Sequence, residues 1–416
     1  MTTTFKPENA DQVVEAVAWA VAEAQPLEIL GRGSKRGFGR PVRAAHGIDV
    51  SGLTGITLYE PEELVLSARA GTPLAEIEAA LEDEHQQLAF EPADLGPLLG
   101  AGAGQGSIGG MLACNLSGPR RIKAGAARDH FLGVHAVSGR GEAFKSGGRV
   151  VKNVTGYDMC KLLAGSHGTL AVLTEVTVKV MPAPEKTRTV MLFGLDDAGA
   201  LAAMTRALQS AHEVSAAAHL PASIAAGSAV SYVAGAGAAV TVLRVEGPGP
   251  SVAYRCAALR KDLSDLAGSE ELHSMNSTAL WRELRDVAPF VGPPERPLWR
   301  ISVPPQEGPR VAAEIVGSLD AAYFYDWGGG LIWLALPGPD ESASDGAAAD
   351  AGAGVVRAAL GAAGGHAMLV RAPEALRAAV PVFQPQDPAN AALTTRVKDG
   401  FDPKRVLNPG RMYAGV

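Results

Sequence analysis

The sequence predicts an α+β protein of two lobes with a closing tail, on three observations. Its 416 residues exceed what one hydrophobic core usually serves. Short helix and strand units alternate through residues 1–183, and Met181-Pro-Ala-Pro184 then breaks the chain before a second mixed stretch over 184–395. Two proline-fixed turns in Phe401–Arg411 mark residues 396–416 as a tail docked back onto the protein.

The elements follow in order. Asp11 caps a helix whose Val13, Val14, Val17 and Val21 share one face, and Pro26 stops it. Leu27–Leu30 reads as a short strand running directly into glycine. Leu64–Ala68 reads as another strand, after which Thr72 caps a helix with Pro73 at its first position and Leu74, Ile77 and Leu81 as its buried stripe. From Glu91 to Arg128 periodicity gives way to glycine, proline and small residues, a loop long enough to be functional. Val172, Thr174, Val176, Val178 and Val180 alternate with Leu173, Glu175, Thr177 and Lys179, predicting a half-buried strand.

In the second lobe helices are expected over 198–210 and 252–266, and strands over 240–245, 299–303 and 331–336. The uncharged stretch Leu220–Leu243 is long enough to span a bilayer, but its alanine, serine and glycine give little to gain from insertion. It reads as a small-residue helix or loop before a strand. The Ala/Gly/Ser/Asp patch 340–354 offers no apolar face and reads as a mobile insertion.

Composition narrows the function. A net charge of −7 is a poor match for binding nucleic-acid phosphates, so no nucleic-acid partner is expected. Cys114, Cys160 and Cys256 lie far apart, which excludes a disulfide framework, a structural zinc site and an iron–sulfur centre within this chain. Met1–Asn9 carries Lys6 and Glu8 and no apolar run, so no secretory signal is expected and a reducing, cytoplasmic setting fits best. Glycine (49) and proline (28) together make roughly 19% of the chain against an average near 12%. Each glycine costs folding entropy unless a turn or a close ligand approach needs it.

That surplus is concentrated in loops. Gly31-Arg-Gly-Ser-Lys-Arg-Gly-Phe-Gly39 follows a strand and sets hydroxyl and cationic donors around converging backbone N–H groups, as a diphosphate demands; a basic surface turn is the plainer alternative. Gly104-Gln-Gly106-Ser-Ile-Gly109 matches the dinucleotide fingerprint, with Asp129 at a suitable distance, yet Glu91–Pro97 upstream is too proline-rich for its strand. The alternative is a run that meets a large flat ligand by backbone contacts, Ser107 and Gly109-Gly110 opening a helix toward phosphate. A third stretch, Val150–Thr169, is interrupted by Gly156, Gly165 and Gly168, and its composition names no ligand.

Ser107-Ile-Gly-Gly-Met, Ala127-Arg-Asp-His-Phe-Leu-Gly133, Asn153-Val-Thr-Gly-Tyr-Asp158 and Gly165-Ser-His-Gly-Thr-Leu-Ala-Val-Leu-Thr174, with the Phe401-Asp-Pro and Asn408-Pro-Gly-Arg411 tail, resemble the FAD-binding domain of the vanillyl-alcohol oxidase or p-cresol methylhydroxylase (PCMH) type. Within that family, Gly31–Gly39, Asn115–Arg121 and Asp326-Trp-Gly-Gly329 look most like the FAD-binding E subunits of bacterial glycolate oxidases. The resemblance is strong over 1–183 and the tail, and thin between.

The resemblance implies an FAD-binding domain of two subdomains over 1–183, an α+β cap domain over 184–395 and a tail that returns to the FAD site. Arg32, Gly33, Ser34, Lys35, Arg36, Gly37 and Gly39 would cradle the pyrophosphate. Pro92, Asp94, Leu95 and Gly96 with Ser107, Ile108, Gly109 and Gly110 would flank isoalloxazine and phosphates, and Asn115, Ser117, Gly118 and Gly125 would complete the site. Gly168, Ala171 and Leu173 would lay backbone against the cofactor, and Asn408 and Arg411 would reach it from the tail. Many relatives carry Glu and Gly where this chain has His167 and Ala171. With no histidine in the first loop and no partner for Cys114, FAD is expected to be noncovalent.

Three functions follow. The first is the FAD-bearing subunit of a glycolate oxidase or dehydrogenase complex, oxidising a small 2-hydroxy acid beside a homologous flavoprotein D subunit and passing electrons to an iron–sulfur subunit, with membrane association at most peripheral and through partners. The second is a self-sufficient FAD oxidoreductase of another hydroxy acid or alcohol; the third is a flavin-bearing structural subunit without turnover. No metal site is expected, because His212, His219, His273 and His366 are widely spaced. Arg300 beside Trp299, Arg282 beside Trp281, and Arg411 are candidate carboxylate clamps, each with an ordinary packed arginine as the alternative, and no catalytic base is assigned.

Overall fold

The computed structural model describes residues 3–150, 156–338 and 350–416. The chain divides into two units, one of residues 1–117, 125–183 and 385–416, the other of 118–124 and 184–384. The first is therefore discontinuous. Helix Pro388–Phe401 belongs to it whole, so the expected tail start at 396 falls inside a helix.

The first unit opens with helix Ala10–Ala22, capped by Asn9, whose side chain accepts from the Gln12 N–H; Asp11 lies two residues further on, in the first turn, and is not the cap. Val13, Ala16, Val17 and Ala20 pack on Leu27 and Ile48 of a small parallel sheet and on Val50 just after it, together with Val172 and the tail residues Val406 and Leu407. In that sheet Leu27–Leu30 and Thr3–Phe5 flank His46–Asp49. A five-stranded antiparallel sheet follows in the order Ile56–Glu60, Val65–Arg69, Ala171–Lys179, Phe131–Ser138, Ala143–Gly147. The alternating strand is its middle member. It is buried on both faces, with Ser67 and Thr177 hydroxyls paired at 2.8 Å beneath it, so period-two patterning marks a central strand here.

Thr72 does not cap helix Leu74–Asp83; its hydroxyl donates to the Arg69 carbonyl at 2.6 Å and closes the turn before it. The expected loop 91–128 contains short helices, of which Ile108–Cys114 is capped by Ser107. The motif Asn153–Asp158 lies partly outside the described residues, as does most of the patch 340–354; at its end Asp350 accepts from the Gly352 and Gly354 N–H groups.

The tail is fastened by one buried ion pair. Lys398 Nζ donates to Asp402 Oδ2 at 2.8 Å, to the Thr169 carbonyl at 2.7 Å and to the Leu407 carbonyl at 2.9 Å, while the same carboxylate accepts from the Val406 and Leu407 N–H groups. Both side chains are fully buried.

The second unit is built on an eight-stranded antiparallel sheet, in the order Ser269–Leu272, Lys186–Phe193, Val240–Gly247, Val214–Leu220, Ala322–Asp326, Leu331–Ala335, Leu298–Ser302, His366–Arg371. Helices Asp197–Leu208 and Gly249–Asp262 cover it through Ala203, Met204, Ala207, Val252, Cys256 and Leu259. The segment Leu220–Leu243 divides into a strand end, two one-turn helices and the start of strand Val240–Gly247. No helix among the described residues is long and apolar enough to cross a membrane.

Within this unit Glu246 is buried between arginines, Arg120 at 2.8 Å and Arg244 at 3.4 Å. Burial would raise its carboxyl pKa, but the two guanidiniums outweigh it and hold the group down at about 2.

Replacing Lys398 by Met strands the Asp402 carboxylate and should cost about 3–5 kcal/mol, read as a lower urea midpoint; an unchanged midpoint would show that the tail is held otherwise. Glu246, depressed from 4.5, contributes stability above pH 4.5 that is lost as pH falls toward 2. Glu246→Gln should therefore lower stability at neutral pH and flatten the loss between those values; parallel wild-type and variant profiles would contradict the assignment.

Candidate functional site

In the first unit a cleft of about 740 Å³, open mouth included, is lined by Ile29–Arg36, Val50, Ala70, Ser107, Gly109, Gly110, Ala113, Cys114, His167, Gly168, Ala171–Leu173, Asn408 and Arg411. Its composition is polarised. Arg32, Lys35, Arg36 and Arg411 give four cations with no acid in the lining, whereas Val50, Ala70, Ala113, Val172 and Leu173 give apolar surface.

The first wall is the turn after strand Leu27–Leu30. Arg36 N–H donates to the Gly33 carbonyl and Phe38 N–H to that of Lys35, and Gly33 adopts φ +76° with open space where a Cβ would stand. Gly31 has no such room, because a Cβ there would lie 2.6 Å from Ser107 Oγ. Arg36 is braced by Glu28, Nε to Oε1 at 2.9 Å. Lys35 Nζ donates to Ser34 Oγ at 3.3 Å, and burial pulls its ammonium pKa below the ordinary lysine value. A desolvated cation of this kind is stabilised by an anion.

The second wall is the capped helix Ile108–Cys114. Gly110 N–H donates to Ser107 Oγ, and Gly109 presses against Ala70 so closely that a Cβ would fall 2.7 Å from its carbonyl oxygen. The tail makes the third wall. Asn408 accepts from Ile29 N–H at 2.8 Å and donates to the His167 carbonyl at 2.8 Å, and a Cβ on Gly168 would strike its amide at 2.8 Å. Arg411 donates to the Lys35 carbonyl at 2.9 Å while its own carbonyl accepts from Arg40 N–H.

The cleft thus gathers Arg32, Gly33, Ser34, Lys35, Arg36, Ser107, Gly109, Gly110, Gly168, Ala171, Leu173, Asn408 and Arg411 from the residues singled out in the sequence. Others stand outside it. Gly39, at φ +96°, lies against Arg411; Gly37 faces the Leu99 carbonyl; Ile108 is in the core. Asp94 ties its own loop, accepting from Gly96 and Gly104 N–H, with Pro92 and Leu95 in the same turn. Asn115 and Ser117 accept from Arg128 and Ala127 N–H, and Gly125 rests on Asp129. Gly118 belongs to the second unit, where its carbonyl accepts from Trp327 Nε1.

Sequence reasoning missed Val50, Ala70, Ala113, Cys114, His167 and Val172 as lining. Burial and the nearby Arg411 push the His167 imidazole pKa down to about 3, so it is neutral at ordinary pH. Cys114 is a buried thiol whose pKa burial raises.

The tryptophans next to two of the carboxylate-clamp candidates each carry a different arginine. Arg244, not Arg282, lies over Trp281, at 4.8 Å from its centroid; Arg357, not Arg300, lies over Trp299, at 5.4 Å; Arg411 is in the cleft. His212 pairs with Asp262 and His219 with Thr241, and no group of three or more His, Cys, Asp or Glu among the described residues could hold a metal.

A family model described as an FAD binding domain matches residues 2–147. The chain is 34% identical to glycolate oxidase subunit GlcE of Escherichia coli (strain K12), covering 97% of both chains. It is 40% identical over 85 residues to glycolate oxidase subunit GlcD of Bacillus subtilis (strain 168), 20% of this chain and 18% of that one. Its fold matches p-cresol methylhydroxylase with a TM-score of 0.73 at 14% identity, over 98% of this chain and 88% of that one. Whole-length similarity to a glycolate oxidase subunit, an FAD-domain match and a cationic glycine-walled cleft agree: the chain belongs to the GlcE family of FAD-binding oxidoreductase subunits.

Proposed function

We propose that the chain is the FAD-bearing subunit of a glycolate-oxidising complex. The observation that carries this reading is the cleft itself, four cations and bare glycine backbone at one end and apolar surface at the other, which suits a dinucleotide with a diphosphate and a flat ring. Arg32–Arg36 and Arg411 hold the diphosphate, Ser107, Gly109 and Gly110 offer backbone to it, and Gly168, Ala171, Leu173 and Asn408 pack against the remainder. Pro92, Asp94, Leu95, Gly96, Asn115, Ser117, Gly118 and Gly125, with Gly37, Gly39 and Ile108, shape the loops around these walls.

FAD, when bound, supplies a hydride acceptor for oxidation of a 2-hydroxy acid. The chain's own residues bind and orient it. Lys35 and Arg411 neutralise phosphate charge, and neutral His167 fills its position beside Phe38, their rings 5.5 Å apart, without adding a charge. In this reading electrons leave through a partner iron–sulfur subunit, alongside a homologous D subunit. Cytoplasmic location, with any membrane attachment made through those partners, fits this arrangement.

The test is purification alone and with candidate D and iron–sulfur partners, followed by glycolate-dependent dye reduction. Turnover in the complex and not in the isolated chain is expected; turnover by the isolated chain would favour a self-sufficient oxidase, and none in any complex a structural subunit. Acid precipitation should release the flavin into solution, whereas flavin kept in the pellet would mean a covalent bond to Cys114 or His167. Gly33→Val sets a branched side chain at φ +76° before the cationic wall and should purify without flavin while remaining folded. Full flavin content in that variant would assign the loop to turn formation alone.

A further inference from the structure

One face of the five-stranded sheet in the first unit carries a polar trough of about 580 Å³, open mouth included. Strand register builds it. Opposed residues of an antiparallel sheet share a face, so Ser67, Thr177, Gly133 and Gly147 form one row across four strands, and Arg69, Glu175, His135 and Lys145 form the next. The first row is small and makes the floor. Its glycines are fixed by the backbone: a Cβ on Gly133 would fall 2.9 Å from the Gly148 carbonyl oxygen, and one on Gly147, at φ +71°, would strike the Leu132 carbonyl. Glu175, His135 and Lys145 of the second row, with Arg149 two residues beyond strand Ala143–Gly147, line the trough with charge. It shares no lining residue with the cationic cleft, although strand Ala171–Lys179 contributes to both.

The groups in the trough have unused hydrogen-bonding capacity. Ser67 and Thr177, 3% and 8% exposed, bond to one another at 2.8 Å. Two hydroxyls carry two protons and their shared bond uses one, so one buried O–H remains without an acceptor among the described residues. Glu175 is half-buried with Arg69 and His135 as its cross-strand neighbours, yet it pairs with neither. His135, Lys145 and Arg149 are exposed, and among the described residues their side chains make no hydrogen bond or ion pair.

These groups select a ligand by chemistry. Lys145 and Arg149 call for an anion, and a compact lysine ammonium suits a tetrahedral phosphoryl group. Glu175 repels a ligand that is anionic throughout and accepts from a donor, while the Ser67–Thr177 pair donates to an oxygen. A ligand hydroxyl meets both needs. No Phe, Tyr or Trp lines the trough, so an aromatic base finds no ring to stack on. We propose that the trough binds the phosphate monoester of a small polyol, its phosphoryl group between Lys145 and Arg149 and its hydroxyls over Glu175 and the Ser67–Thr177 pair. The site is complete without flavin.

Calorimetric titration of the purified full-length chain with ribose 5-phosphate, ribose, inorganic phosphate and adenosine monophosphate at constant ionic strength tests it. Saturable binding of ribose 5-phosphate is expected, with weaker binding of phosphate, none of ribose, and adenosine monophosphate no tighter than the sugar phosphate. Replacing Lys145 and Arg149 together by Gln should weaken ribose 5-phosphate roughly tenfold or more at unchanged melting temperature, and Glu175→Gln should reduce its preference over inorganic phosphate. Added FAD should not displace it. Absence of saturable binding, tighter binding of adenosine monophosphate, displacement by FAD, unchanged affinity in the double variant or unchanged preference in Glu175→Gln would overturn the proposal. A chain that purifies without flavin and still binds the sugar phosphate would count against the flavin reading alone.

Discussion

One buried ammonium organises the first unit. Lys398 meets a carboxylate and two carbonyls at hydrogen-bonding distance, with no solvent contact. Desolvating a charge this fully is tolerated only when its geometry is satisfied, and here every bond it makes fastens the tail to the body. Leu407 is thereby set beside Leu27, and Asn408 is carried to the Ile29 N–H and the His167 carbonyl. Arg411 then reaches the Lys35 carbonyl. The cleft's third wall is a consequence of that pair.

Charge is arranged differently in the two units. In the cleft Arg32, Lys35 and Arg36 come from one turn and Arg411 from the tail, with Arg36 braced by Glu28 and Arg411 by the Lys35 carbonyl. In the second unit Glu246 is paired to exhaustion by Arg120 and Arg244, while Arg121 and Arg300 rest on an aromatic ring. The first pattern fits an extended anion, the second a closed structural pair beside a compact cationic group.

Much of the cleft was legible because glycine and charge are written locally. Gly31–Arg36 and the Ser107 cap depend on residues within one turn of each other, so sequence neighbours are spatial neighbours. Where alternation intervenes, adjacency misleads. Trp299 and Arg300 leave their strand on opposite faces, so the cation over Trp299 comes from Arg357, far along the chain. The strand Ala171–Lys179 showed its period but not its central place, which depends on two neighbouring strands and the helix packed above. The resemblance set Asp94 among the cofactor residues, and in the structure its carboxylate accepts from the Gly96 and Gly104 N–H groups of its own loop. His167 and Cys114 carry no local sign of cleft position, since that depends on a tail hundreds of residues away.

The discontinuity of the first unit has an effect on biosynthesis. Ile29 and Lys35 wait for Asn408 and Arg411, and the whole of 184–384 must leave the ribosome before these can meet. Closing so long a loop adds little entropy beyond that of a shorter one, so the delay is set by synthesis and by folding of the intervening unit. A nascent chain therefore exposes its cationic turn, unsealed, for most of its translation. Any ligand that needs the complete cleft can be retained only after the last wall has been made.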